Sequence, residues 1–393
     1  MPDPGVEWFA RPAPEGQPAT FALIVGTSLY RYLPEVAGDP SPAGGETLGL
    51  AQVASPASGA YAFAKWVAAS YNNPEAPLAS IRLLLSPAEA ERIAVPELRA
   101  LGPEVLPTTR ENVKRALMRW KRACDTHREN VAILYAAGHG VQLSKDDGGI
   151  VLLEDFGDPN DTVLACSMNI ARVKQGMAGE SMAQRQFYFV DACRIKPEAL
   201  RNFDLLAEGI ALDSPGSGEP RCGAMYFGAA PNTLGWGDPG RGTVFSQGLL
   251  KCLEFDAIDL DMGGRFVVSS HSLVSTLPDR VEAVALAGGR DQIATAGGLR
   301  LSKELFHVPT ELPPVPLTIA VNPPAAAHCA WATLSAGAAR IFERQAFTPL
   351  ISTEVPIGKY VLQVSIDPVT DPYKDQWLPI LSLPPRTDET VVL

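Results

Sequence analysis

The chain has six cysteines, Cys124, Cys166, Cys193, Cys222, Cys252 and Cys329, and none falls in a CxxC pair. That spacing suggests neither a zinc site nor a thioredoxin-like redox motif, and scattered thiols fit a reducing cytoplasm. Positive charge is also short: 33 Lys and Arg stand against 44 Asp and Glu, a net charge of −11. Phosphate recognition needs clustered Lys and Arg, so nucleic acid is not expected as a partner. No run of about eighteen apolar residues occurs, which excludes a spanning helix as the reading and leaves no membrane partner expected. The opening MPDPGVEWFARPAPEG lacks a basic region followed by an apolar stretch, so the expectation is a soluble, unexported, cytoplasmic protein. No cofactor and no metal site is suggested.

What is present is ordinary globular composition, 46% hydrophobic and 20% charged over 393 residues, enough for two domains. Residues 1–17, rich in Pro and Gly, read as an extended arm. FALIVGT (21–27) is a buried strand that opens the folded core, followed by a helical stretch near Ala60–Ala69 and a strand over Ser80–Leu85. Thr108 and Glu111 stand in capping-box spacing before a helix whose apolar positions Val113, Leu117, Trp120 and Cys124 make one face. VAILYAA (131–137), QFYFVDA (186–192) and GAMYFGAA (223–230) are continuous apolar runs, the pattern of strands covered on both faces of a mainly parallel sheet. Val244–Leu253 and Ser272–Ala285 keep helical spacing, which completes a three-layer α/β domain over 18–307. Cys124 and Cys252 on such helix faces read as small hydrophobes. HVPTELPPVP reads as a linker, and residues 308–393 carry short strand-like segments split by turns, expected to form a small β-sandwich with no catalytic grouping. That appendage would stabilise the chain or bind a partner.

In a parallel sheet, ligands lie beyond the carboxyl ends of the strands, so the residues that follow each strand matter. Gly138-His139-Gly140 follows VAILYAA, and Cys193-Arg194 follows QFYFVDA. A thiol and an imidazole on one rim can work as nucleophile and general base, because attack on a carbonyl needs the thiolate. Glycines beside His139 permit a sharp turn and close substrate approach, and the amides of Gly140 and Cys193 could donate to an oxyanion. Taken singly, His139 reads as a loop histidine and Cys193 as a packed thiol; jointly they point to catalysis.

YAAGHG and FVDACR resemble the His and Cys signatures of caspases, metacaspases and their bacterial relatives. His139 precedes Cys193 by 54 positions (193 − 139), against about fifty expected in this family. FALIVGTSLY, TTRENVKRAL and YFGAAPNTLGWGDPGRGTVFSQGLL extend the similarity across residues 18–307. The resemblance implies a caspase-like fold and a cysteine endopeptidase acting by a Cys-His dyad, with a backbone carbonyl orienting the histidine; the sequence names no third catalytic residue. Asp191 stands where caspases carry Gln and where metacaspases place a carboxylate in the first specificity pocket, which implies cleavage after Arg or Lys. It could instead cap a following helix. Asp238 could add a second acid to that pocket or be a turn residue before Pro239, and Trp236 could wall the substrate site or pack.

Two departures stand out: Ile195 replaces the glycine that often follows Cys-Arg in caspases, and ASPASGAYAF offers no counterpart to the Asn-Asp often found in metacaspases. The stretch 211–223 holds Arg221, a candidate processing site or a plain surface residue, by analogy with relatives cut on activation. The resemblance implies a protein or peptide substrate and, through relatives cut on activation in bacterial stress or antiviral defence cascades, an upstream activating protease as a candidate partner; a zymogen and a constitutively active enzyme both stay open. The sequence fixes neither calcium dependence nor oligomeric state. A catalytically unused scaffold that binds partners is the principal alternative; a small-molecule hydrolase or transferase, expected to show a deep enclosed pocket, is a further one.

Overall fold

The structure, a computed structural model, describes residues 7–12, 16–142, 149–179, 181–197, 209–213, 222–297, 303–367 and 373–393. It divides into two compact units, Met1–Cys252 with Val268–Val308, and Leu253–Val267 with Pro309–Leu393. The sequence segment 253–267 thus groups with the C-terminal part of the chain, so one cut near 308 does not describe the division.

The first unit is built on a seven-stranded sheet. Its order is Phe9–Ala10, Leu78–Ser86, Thr20–Thr27, Val131–Gly138, Arg185–Ala192, Cys222–Phe227 and Thr295–Gly297. The five inner strands run parallel. The two edge strands are antiparallel to their neighbours, so part of the expected extended arm is a sheet edge: Phe9 pairs with Ile81. All eight residues of Val131–Gly138 are buried, as a strand covered on both faces must be.

The helices Pro56–Ser70, Val244–Lys251 and Ser270–Ala287 contribute to one side of the unit, where aromatic rings interlock with those of the strands. Phe63 stacks on Tyr135 with ring centroids 4.8 Å apart, Phe189 lies 5.1 Å from Tyr226, and Phe187 meets Phe306 at 4.8 Å. Burying each such ring contributes roughly 1.5–3 kcal/mol. On the other face, Arg110–Cys124 buries Val113, Leu117, Trp120 and Cys124 against Leu23, Val25, Leu134 and Val190. Its first turn differs from the expected capping box. Thr109 is the N-cap and accepts from the Asn112 amide, whereas Thr108 is drawn into a buried network with Thr27 and Ser86, each hydroxyl contact at 2.8 Å. A threonine with strong partners in the core is not available to cap.

The second unit is a β-sandwich. One sheet orders Ile351–Pro356, Pro314–Asn322 and Thr387–Val392, the other Ala339–Ala346, Ala330–Ala336, Gly358–Ile366 and Gln376–Ser382. Burial alternates along Pro314–Asn322, and Leu317, Ile319, Val321, Leu334, Leu362, Val364, Ile380 and Val391 form the core. No helix among the described residues is long and apolar enough to cross a membrane.

Candidate active site

Gly138 is in register with Ala192 at the ends of the two central parallel strands. His139 and Cys193 are the next residues of each, so both leave the sheet at the same level. The chains stay together beyond that point: Val141 bridges to Ile195, and the Gln142 amide donates to the Ile195 carbonyl at 2.9 Å. A Cβ on Gly140 would lie 2.4 Å from the Cys193 carbonyl oxygen and 2.7 Å from the Ala192 methyl, which is why glycine stands there. Gly138, with φ +156°, passes within contact of the Tyr30 hydroxyl, and a Cβ would sit 2.8 Å from it.

His139 and Cys193 line one cavity of about 640 Å³ with Leu48–Pro56, Asp191, Ile195 and Leu234–Gly237. The Nε2 of His139 is 2.6 Å from the Ala51 carbonyl oxygen. A carbonyl only accepts, so Nε2 carries the hydrogen and Nδ1 is left as the basic nitrogen. Burial lowers the pKa of His139, partly offset by that bond. Burial raises the pKa of the Cys193 thiol and nearby Asp191 adds to the rise, against the Gly235 amide, which donates to Sγ at 3.1 Å. Both shifts favour a neutral thiol beside a neutral imidazole at rest.

Asp191 is buried on the cavity wall. Tyr135 Oη donates to its Oδ2 at 2.5 Å, and Thr243 Oγ1 donates to the same oxygen. Thr243 is also the N-cap of Val244–Lys251, so the carboxylate is tied to the start of that helix. Burial pushes its pKa up to about 6, with both hydrogen bonds opposing. Trp236 lines the cavity and is held from behind: its amide donates to Gln292 Oε1 at 2.7 Å and its indole Nε1 to the Asp291 carbonyl at 3.1 Å. Asp238 is not among the described cavity-lining residues and is ion-paired with Arg290. Ile195, the departure after Cys-Arg, forms part of the wall. Arg221 lies outside the described residues.

Several participants carry no sequence signal. The Ala51 carbonyl is a backbone group, and Gln292 and Gly235 act from loops. Thr243 could have been found as the residue preceding the apolar VFSQGLL. Among the described residues, no three His, Cys, Asp or Glu are grouped to hold a metal.

Residues 97–282 match the family model described as Caspase domain, a span that contains both His139 and Cys193. The central part of the chain, residues 97–282, is thus similar to a caspase domain. A solved structure similar to it is that of caspase-1 from Spodoptera frugiperda, 11% identical, with 78% of this chain and 98% of that chain covered and a TM-score of 0.39. No curated protein matches the chain. The caspase domain family is one of cysteine peptidases, whose members act on protein substrates.

Proposed function

We propose that the protein is a cysteine endopeptidase that cleaves after Arg or Lys, with Cys193 as nucleophile and His139 as general base. The observation that supports the reading is the register of Gly138 with Ala192, after which His139 and Cys193 leave adjacent strands and both line one cavity. Because burial favours the neutral forms, proton transfer from Sγ to Nδ1 accompanies attack on the substrate carbonyl. The imidazolium so formed is stabilised through Nε2–H by the Ala51 carbonyl, and it returns its proton to the leaving amine. The amides of Gly140 and Cys193 are the proposed oxyanion donors.

The preference for basic residues rests on Asp191. Among the described lining residues it supplies the one carboxylate, and there is no Lys or Arg to receive an acidic side chain. Its neighbours engage Oδ2 alone, so Oδ1 is the oxygen offered to a guanidinium or ammonium. Trp236 forms a wall, and Asp238, ion-paired with Arg290 and not among the described lining residues, is given no part in the pocket in this reading. Processing at Arg221 by an upstream protease, and a place in a bacterial stress or defence cascade, belong to the same proposal through the family likeness.

A fluorogenic peptide panel with Arg, Lys, Asp or Ala at the cleavage position tests it, with Cys193→Ala as control. Turnover of the Arg and Lys peptides, lost in the variant, supports the reading. Turnover of the Asp peptide would remove Asp191 from the specificity role. No turnover after limited proteolysis would favour the scaffold.

A further inference from the structure

His139 is held by a closed circuit of contacts that the dyad itself does not require. Its ring nitrogen Nε2 meets the Ala51 carbonyl, as described above. On the other side, its backbone N–H donates to the Tyr30 hydroxyl at 2.7 Å, and the two rings face one another with centroids 5.0 Å apart. Tyr30 is in turn gripped by Gln52: the Tyr30 amide donates to Oε1 at 2.8 Å, and Nε2 of Gln52 donates to the Tyr30 carbonyl at 2.6 Å. Gln52 is the residue after Ala51, which closes the circuit.

The loop around Ala51 has neither helix nor strand, so nothing in its own backbone pattern fixes where that carbonyl points. Holding an irregular loop in one conformation costs entropy that specific contacts must offset. Gln52 supplies them. Besides the two bonds to Tyr30, its Nε2 donates to the Leu33 carbonyl at 2.9 Å, and its backbone N–H donates to the Pro34 carbonyl at 3.0 Å. One acceptor and two donors on one side chain is the inventory of an amide; a carboxylate lacks the donors and an ammonium lacks the acceptor.

We propose that Gln52 and Tyr30 are positioning residues that set the tautomer of His139. Gln52 holds the Ala51 carbonyl opposite Nε2, Tyr30 fixes the imidazole from its backbone and its face, and Nδ1 is thereby kept as the base directed to the thiol. The kinetic consequence rests on the peptidase reading; the tautomeric one does not.

Ring-nitrogen chemical shifts of 15N-histidine-labelled protein, recorded where the imidazole is neutral and assigned with His139→Gln, give the tautomer directly. The intact chain is expected to show His139 as Nε2–H. In Gln52→Glu, whose carboxylate would face the Tyr30 and Leu33 carbonyls, a mixture of tautomers is expected, with kcat lower by about tenfold to hundredfold. Tyr30→Phe, which keeps the ring and loses only the hydroxyl, is expected to shift the mixture in the same direction and supplies the test if Gln52→Glu does not fold. A pure Nε2–H tautomer in both variants overturns the proposal, whether kcat is retained or falls with general stability. If the intact protein cleaves no peptide, the peptidase reading fails while the tautomer comparison still decides this one.

Discussion

Tyr135 and Thr243 converge on one oxygen of Asp191, Oδ2, from different elements of the first unit. This anchors a buried carboxylate two residues before the candidate nucleophile through one of its two oxygens. Asp191 is thus tied to the start of the Val244–Lys251 helix, and in the proposed reading it also presents charge to substrate, which separates its expected behaviour from that of Asp238.

Asp191→Asn keeps an acceptor for Tyr135 and Thr243 but removes the charge. A charge-assisted hydrogen bond is worth about 1.5–3 kcal/mol. The expected result is a tenfold to hundredfold loss of kcat/KM for Arg peptides relative to Ala peptides, with the fold retained. Asp238→Asn, which only releases Arg290, is expected to leave that ratio nearly unchanged. Equal effects from the two variants would mean that the pocket is built differently.

The same carboxyl predicts a pH dependence of selectivity. Its pKa is pushed up to about 6 by burial, so the charge that attracts Arg is present above that pH and is lost as pH falls through it. The ratio of kcat/KM for Arg over Ala peptides should decline across that window. Because both substrates share the dyad, titration of His139 and Cys193 cancels in the ratio. A ratio flat from pH 7 to 5 would count against Asp191 as the acid.

Stability has its own titrating group in His307. Its Nδ1 accepts from the Asn72 amide at 2.9 Å, and burial lowers its pKa to about 4 from an ordinary 6.5. The folded state thus binds this proton less readily than the unfolded chain. Stability is full above about pH 6.5 and falls as the pH drops towards 4, by roughly 3 kcal/mol in all for this group. Denaturant unfolding across that range should show a shallower pH slope in His307→Gln than in the natural chain; identical slopes would show that His307 is not the responsible group.

Gly140→Ala should damage the site more than the fold. The added methyl would sit 2.4 Å from the Cys193 carbonyl oxygen, a separation that forces one of the two strand ends to move. Overpacking of this kind costs typically 1–3 kcal/mol, and a displacement of about an ångström at a dyad can cost a hundredfold in rate. Melting temperature and kcat measured together check this; a variant with natural kcat would show that the strand ends tolerate the shift.

Most of the sheet was legible in the sequence because its strands are buried on both faces, so VAILYAA and QFYFVDA read as apolar runs whose last residues had to mark a common rim. Boundaries were less so. Thr108 and Thr109 offer identical chemistry to a helix start, and only the buried partners Ser86 and Thr27 decide which one caps. The segment 253–267 shows no break in texture, yet groups with the sandwich. His139, Cys193 and Asp191 were recognisable from their side chains and positions. Ala51 was not, since a backbone carbonyl has no residue preference, and Gln52 and Gln292 act through loops whose course depends on tertiary contacts.

The most direct measurement is covalent labelling with a peptidyl acyloxymethyl ketone bearing Arg at the cleavage position, read by mass spectrometry of the digested protein. One adduct per chain is expected, on the peptide containing Cys193, slowed strongly in His139→Ala and outpacing the matched Asp ketone. Absence of an adduct, an adduct on another cysteine, or faster reaction with the Asp reagent would contradict the proposed nucleophile or its specificity.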